Sequence, residues 1–129
     1  MTTVCASSEL NARVAVDARC LERLCADLGG DMAAIRGFVS TFMKLWPGRL
    51  ARVTSAAERA DFDDLLDSTL SIRSASRMLG AMRLDYVAED VERSGRAGDI
   101  SHVRCLIPSL ATTGEQTLDA LTGVLDARG

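Results

Sequence analysis

Aromatic residues make up only 4% of this 129-residue chain, and it holds just two prolines and one histidine. It also lacks any basic excess, with 15 Lys and Arg against 18 Asp and Glu for a net charge of −3. Each scarcity excludes something. Without a basic excess or stripe, nucleic acid is not an expected partner. No apolar run approaches the ~18–20 residues of a membrane span, so no membrane partner is expected either. Cys5, Cys20, Cys25 and Cys105 include no Cys-x-x-Cys pair, and His102 stands alone, so the ligand spacings of a zinc site are missing. No metal and no cofactor is therefore expected. The stretch from Met1 to Val16 carries Ser, Glu, Asn and Arg instead of the apolar centre of a secretory signal. A cytoplasmic location follows as the expectation, with the cysteines read as reduced, partly buried apolar residues.

What is present favours helix. Hydrophobic residues make up 47% and charged residues 26%, ordinary for a single globular domain. Ala and Leu, strong helix formers, supply about a quarter of the chain. Residues 1–16 show no steady period and read as a flexible or extended N-terminal segment; 17–129 read as one helical domain. Asp17 caps a short first helix with Cys20 or Leu21, Leu24, Cys25 and Leu28 on one face, and Gly29-Gly30 ends it. Asp31 caps a long second helix whose apolar series is Ile35, Phe38, Phe42, Leu45, Leu50, Val53, Ala57 and Ala60. Pro47-Gly48 interrupts that series and predicts a kink.

Asp61 caps a third helix, from Phe62 to about Leu79, with Phe62, Leu65, Thr69, Ile72, Ser76 and Leu79 facing the core. A fourth helix from about Met82 to Ser94 buries Leu84, Val87, Ala88 and Val91. The segment Ser94 to Asp99 is read as a turn, and Asp99 caps the last helix, which carries Val103, Leu106, Ile107, Leu110, Thr117, Leu118, Leu121 and Val124 on one side. Connections this short make sequential helices antiparallel neighbours. The expected fold is all-α: an up-down-up-down antiparallel four-helix bundle with a short N-terminal capping helix.

Beside the core face of the third helix runs a second row, Leu66, Leu70, Arg73 and Arg77, spaced four, three and four residues apart. An apolar side chain bracketed by arginines suits the rim of a docking surface, although single surface leucines are common.

The segment from Leu70 to Ala81 resembles the signature helix of histidine-containing phosphotransfer (HPt) domains, whose pattern reads His-x-Leu-Lys-Gly-Ser-Ser-x-x-Leu-Gly-Ala. Ile72, Arg73, Ser76 and Leu79-Gly80-Ala81 fall on the pattern. Leu28 to Asp31 resembles that family's Gly-Gly-Asp turn, and Glu92 with Gly98-Asp99 resembles the stretch after its signature. The resemblance spans Asp17 onward and implies the same bundle. It departs at the decisive position, because the phosphoacceptor histidine is Leu70 here and the family's small glycine is Ser74. Leucine has no nucleophilic nitrogen, so no catalytic residue is expected. His102 falls at the start of the last helix, outside the signature, and Ser71 has no adjacent base to activate it.

The resemblance implies a pseudo-phosphotransfer protein that is not an enzyme. It would bind a response-regulator receiver, or the receiver of a hybrid histidine kinase, through Leu66, Leu70, Arg73, Ser74 and Arg77, without accepting phosphate. A monomer is expected. Two other classes stay open: an interaction module of the same fold with a non-receiver partner, and an enzyme, either a receiver phosphatase or an atypical phosphotransferase. Against a phosphatase, the third helix has no Asn or Gln to position water. Gln116 lies on the last helix, while Asp61, Asp63, Asp64 and Asp67 crowd the third helix's first turns, where they suit the helix dipole.

Overall fold

The computed structural model describes residues 16–127, so the expected N-terminal segment lies, but for Val16, outside the described residues. Among the described residues all regular structure is helical, in five helices: α1 (Ala18–Asp27), α2 (Met32–Arg59), α3 (Phe62–Leu79), α4 (Met82–Arg96) and α5 (Ile100–Ala127). Helix α3 packs against both α2 and α4, α5 packs against α4 and α2, and α1 lies against α2 and α3. No helix among these residues is long and apolar enough to cross a membrane.

Carboxylates start four of the helices. Asp17, Asp31 and Asp61 accept hydrogen bonds from the backbone N–H of Arg19, Ala34 and Asp64, and Asp99 accepts one from His102. Each meets a donor that the first helical turn leaves without an internal partner. Helix α3 ends at Gly80, whose φ of 74° is left-handed. A Cβ there would lie 2.7 Å from the Asp17 carbonyl oxygen and the Cys20 Cβ, while the Asp17 N–H donates to the Gly80 carbonyl at 2.7 Å. Glycine at 80 thus serves both the turn and the docking of α1.

The core face of α3 lies where the spacing predicts, with Leu65, Thr69, Ile72, Ser76 and Leu79 all buried and Phe62, in the first turn, partly buried against them. Its polar members remain in helix because the Thr69 and Ser76 hydroxyls donate to the carbonyls of Leu65 and Ile72, one turn back. The inward residues expected on α4 are buried too.

Helix α2 differs from the expected register. Val39 and Trp46 are buried, whereas Phe38 and Leu45 are exposed, Leu45 by 46%. The inward series is Ile35, Val39, Phe42, Trp46, Leu50, Val53 and Ala57, which keeps steps of three and four throughout. Gly114 on α5 decides the matter: a Cβ there would fall 1.9 Å from the Trp46 ring, so the indole occupies space that only glycine leaves. Phe42 stacks on the same ring with centroids 6.2 Å apart. The helix runs unbroken through Pro47, as α5 does through Pro108. Both prolines are exposed, so the carbonyls they deprive of a donor lie toward solvent.

Three smaller expectations also shift. Ala60 is not a core residue but the exposed left-handed cap of α2, with φ of 54°. Ser94 and Gly95 belong to α4 and are buried, because the absence of a side chain at Gly95 admits Leu65 and Leu66 of α3. Cys20 and Cys25 are free thiols and partly buried, as read, whereas Cys105 is exposed.

Candidate functional site

The row Leu66, Leu70, Arg73 and Arg77 divides between two surroundings. At ~100° per residue, Leu70 stands about 60° around α3 from Arg73, enough to separate their neighbours. Leu66 and Arg73 turn toward α4. Leu66 is half-buried, and its Cδ2 would meet a Cβ at Gly95 at 3.3 Å. The Arg73 side chain is only 11% exposed and is held by carboxylates of α4. Its Nε donates to Asp85 Oδ1 at 2.9 Å and its Nη1 to Glu92 Oε1 at 2.6 Å, with Glu89 3.9 Å from Nη2.

That network is nearly closed on itself. Arg96 Nη2 donates to the second Glu92 oxygen at 2.8 Å, and Arg77 Nε donates to Asp85 Oδ2 at 3.2 Å. Hydrogen bonds from Arg96 and then Arg73 hold the Glu92 carboxyl below its ordinary value, against the upward pull of burial. Burial disfavours the Arg73 guanidinium, but its bonds to Asp85 and Glu92 outweigh that and raise its pKa. Arg73 therefore ties α3 to α4 and has little charge to present outward. Arg77 is 61% exposed and keeps a solvent-facing side.

Leu70 has different neighbours. It is 55% exposed, the most exposed large apolar side chain among the described residues. It lines a groove of about 540 Å³ between α2 and α3 with Ser71, Ser74 and Met78 of its own helix and Arg49 and Arg52 of α2. Asp67 lies at the same groove, bound by Arg52 Nη2 at 2.7 Å, and Arg52 also holds Asp64 at 2.6 Å. Arg52 and then Arg59 hold the Asp64 carboxyl below its ordinary value. Arg49 is half-buried, and its guanidinium makes no ion pair or hydrogen bond among the described residues. Phe38 and Leu45, both exposed, lie seven and four residues apart from the next members of the row Phe38, Leu45, Arg49 and Arg52, on one flank of α2.

Of the residues read from sequence, Leu70 and Ser74 meet at the groove, while Leu66 and Arg73 turn to α4. Arg77 lines a smaller recess beside α1 with Cys20, Arg23 and Met78. Ser71, weighed as a poor acceptor, is also at the groove. His102 is exposed in the first turn of α5 and Gln116 accepts from Arg83 at 3.4 Å; neither lines the groove. Arg49 and Arg52 were not anticipated. The signal was available: placing Trp46 inward closes the five-residue step from Leu45 to Leu50 and turns Leu45, Arg49 and Arg52 to one flank.

The groove offers an apolar knob, one uncommitted cation and two hydroxyls, a surface suited to recognising a partner. Among the described residues no group of three or more His, Cys, Asp or Glu side chains is placed to hold a metal ion. No protein-family model matches the chain, and no curated protein or solved structure matches it.

Proposed function

We propose that this chain is a pseudo-histidine phosphotransfer protein that binds a receiver domain through the α2–α3 face without accepting phosphate. The partner is a response-regulator receiver or the receiver of a hybrid histidine kinase, and the protein competes for it or modulates it as a cytoplasmic monomer. The reading is carried by Leu70. It occupies the position at which the HPt pattern has its phosphoacceptor, and it stands 55% exposed at a groove edge where burial by a partner would be favourable. A leucine there retains docking area and removes the nucleophile.

The expected bundle is part of this proposal. Two residues connect α2 to α3 and two connect α3 to α4, too few for anything but antiparallel neighbours. The contacts of α3 with α2 and α4, and of α5 with α4 and α2, support an up-down-up-down four-helix bundle with α1 as its lid. Within that frame the docking charge is assigned to the groove, since Arg73 is engaged by Asp85 and Glu92.

Calorimetric titration of the source cell's purified receiver domains, with wild type and Leu70→Asp in parallel, tests the reading. The expected result is micromolar binding to at least one receiver and loss of that binding in Leu70→Asp at an almost unchanged melting temperature. Binding to no receiver, or undiminished affinity in the variant, overturns it in favour of an interaction module with another partner. Faster loss of phosphate from a bound receiver would instead identify a phosphatase.

A further inference from the structure

We infer that the groove beside Leu70 reads the phosphorylation state of its partner, binding the phosphoryl oxygens of a receiver's aspartyl phosphate through Arg49, Ser71 and Ser74. This rests on the receiver-docking proposal and adds a preference between receiver states. The argument begins with which donors are already spent. Ser68, Thr69 and Ser76, on the core side of α3, donate their hydroxyls to backbone carbonyls one turn earlier at 2.6–2.7 Å. The Ser71 and Ser74 hydroxyls, on the groove side, make no hydrogen bond among the described residues. The same division holds for the arginines. Arg52 is bound by Asp64 and Asp67, Arg73 by Asp85 and Glu92, and Arg59 by Asp61 and Asp64. Arg49 alone of the groove's cations has its donors free.

The charge at the groove suits an anion. Arg49 and Arg52 face one groove carboxylate, Asp67, and Arg52 already compensates it. A planar guanidinium with two hydroxyls supplies several N–H and O–H donors to a group that has only acceptors. Phosphoryl oxygens carry more charge than an unmodified carboxylate and accept stronger charge-assisted bonds. Leu70 and Met78 complete the groove with apolar surface, which favours a phosphoryl group presented on a protein face over free phosphate in water. The two serine hydroxyls have no base free to activate them, since the groove's one carboxylate, Asp67, is bound by Arg52, so the phosphoryl group is held without transfer.

The test uses the same purified receiver domains, each with and without magnesium and beryllofluoride, a stable stand-in for the aspartyl phosphate. Wild type is expected to bind the beryllofluoride form about tenfold tighter, and the preference should shrink as salt is raised. Arg49→Gln should remove most of the preference, weakening binding of the beryllofluoride form several-fold more than binding of the unmodified receiver. Ser71→Ala with Ser74→Ala should remove part of it. Equal affinity for the two forms, or an Arg49→Gln variant that weakens both equally, overturns the inference. Loss of both forms in Leu70→Asp alongside equal wild-type affinities would overturn it and leave the docking proposal standing. Failure of both forms to bind wild type would instead remove the docking proposal and this inference with it.

Discussion

Leu70 and Arg73 stand three residues apart on α3 and have opposite surroundings. Arg73, charged, is drawn inward and enclosed by Asp85, Glu92 and Glu89 of α4. Leu70, apolar, is left outside at the edge of the α2–α3 groove. Polarity alone would reverse the two. The difference teaches that an arginine's availability depends on the carboxylates of the helix facing it. The α4 flank carries three acids that absorb Arg73, whereas the α2 flank brings two more arginines, and only one of those is neutralised.

The comparison breaks most sharply at Arg73. Arg73→Ala leaves Asp85 and Glu92 largely buried with only the exposed Arg77 and Arg96 to compensate them, and a loss of about 2 kcal/mol of stability is expected in urea denaturation. A loss below about 1 kcal/mol would mean that the network is solvated and that Arg73 is free to reach a partner.

The pH dependence of stability gives a smaller effect with a definite sign. Glu92 is held below its ordinary value of 4.5 in the folded state, so it contributes stability above that value. The contribution is lost as pH falls through the folded-state pKa. Urea midpoints measured from neutral to acid pH should therefore fall below about pH 4.5, and Glu92→Gln should flatten that fall. An unchanged slope in the variant would assign the acid sensitivity to other carboxylates, Asp64 first.

Arg77 shares Asp85 with Arg73 but is well exposed, and Arg77→Ala should cost no more than about 0.5 kcal/mol. The smallest effect belongs to Leu70. Leu70→Asp, which is expected to abolish docking, should lower stability by only about 0.5 kcal/mol through helix propensity. A large drop in the melting temperature would show that Leu70 is a packing residue and not a surface knob.

Much of α3 was legible because its pattern admits one reading. Leu65, Thr69, Ile72, Ser76 and Leu79 fall on one face, and the residues between them are mostly charged or small. The aspartate caps were legible for a similar reason, since a short carboxylate before a periodic run meets donors that the helix cannot satisfy itself. Helix α2 was not, because it carries adjacent apolar pairs, Phe38-Val39 and Leu45-Trp46, and either member can face inward. The choice rests on Gly114, 68 positions beyond Trp46, whose missing side chain admits the indole. With that register hidden, Arg49 and Arg52 were hidden too.

The sequence by itself determined the helical class, the helix starts, the core face of α3 and the absence of an imidazole at position 70. These follow from local propensity, capping and spacing, which act within a few turns of one helix. Only the tertiary structure decided that Trp46 is the core residue of α2, that Arg73 is spent on α4, and that Arg49 remains uncommitted beside Leu70. Those outcomes depend on which side chains face one another across helices, and a single helix's periodicity does not contain that information.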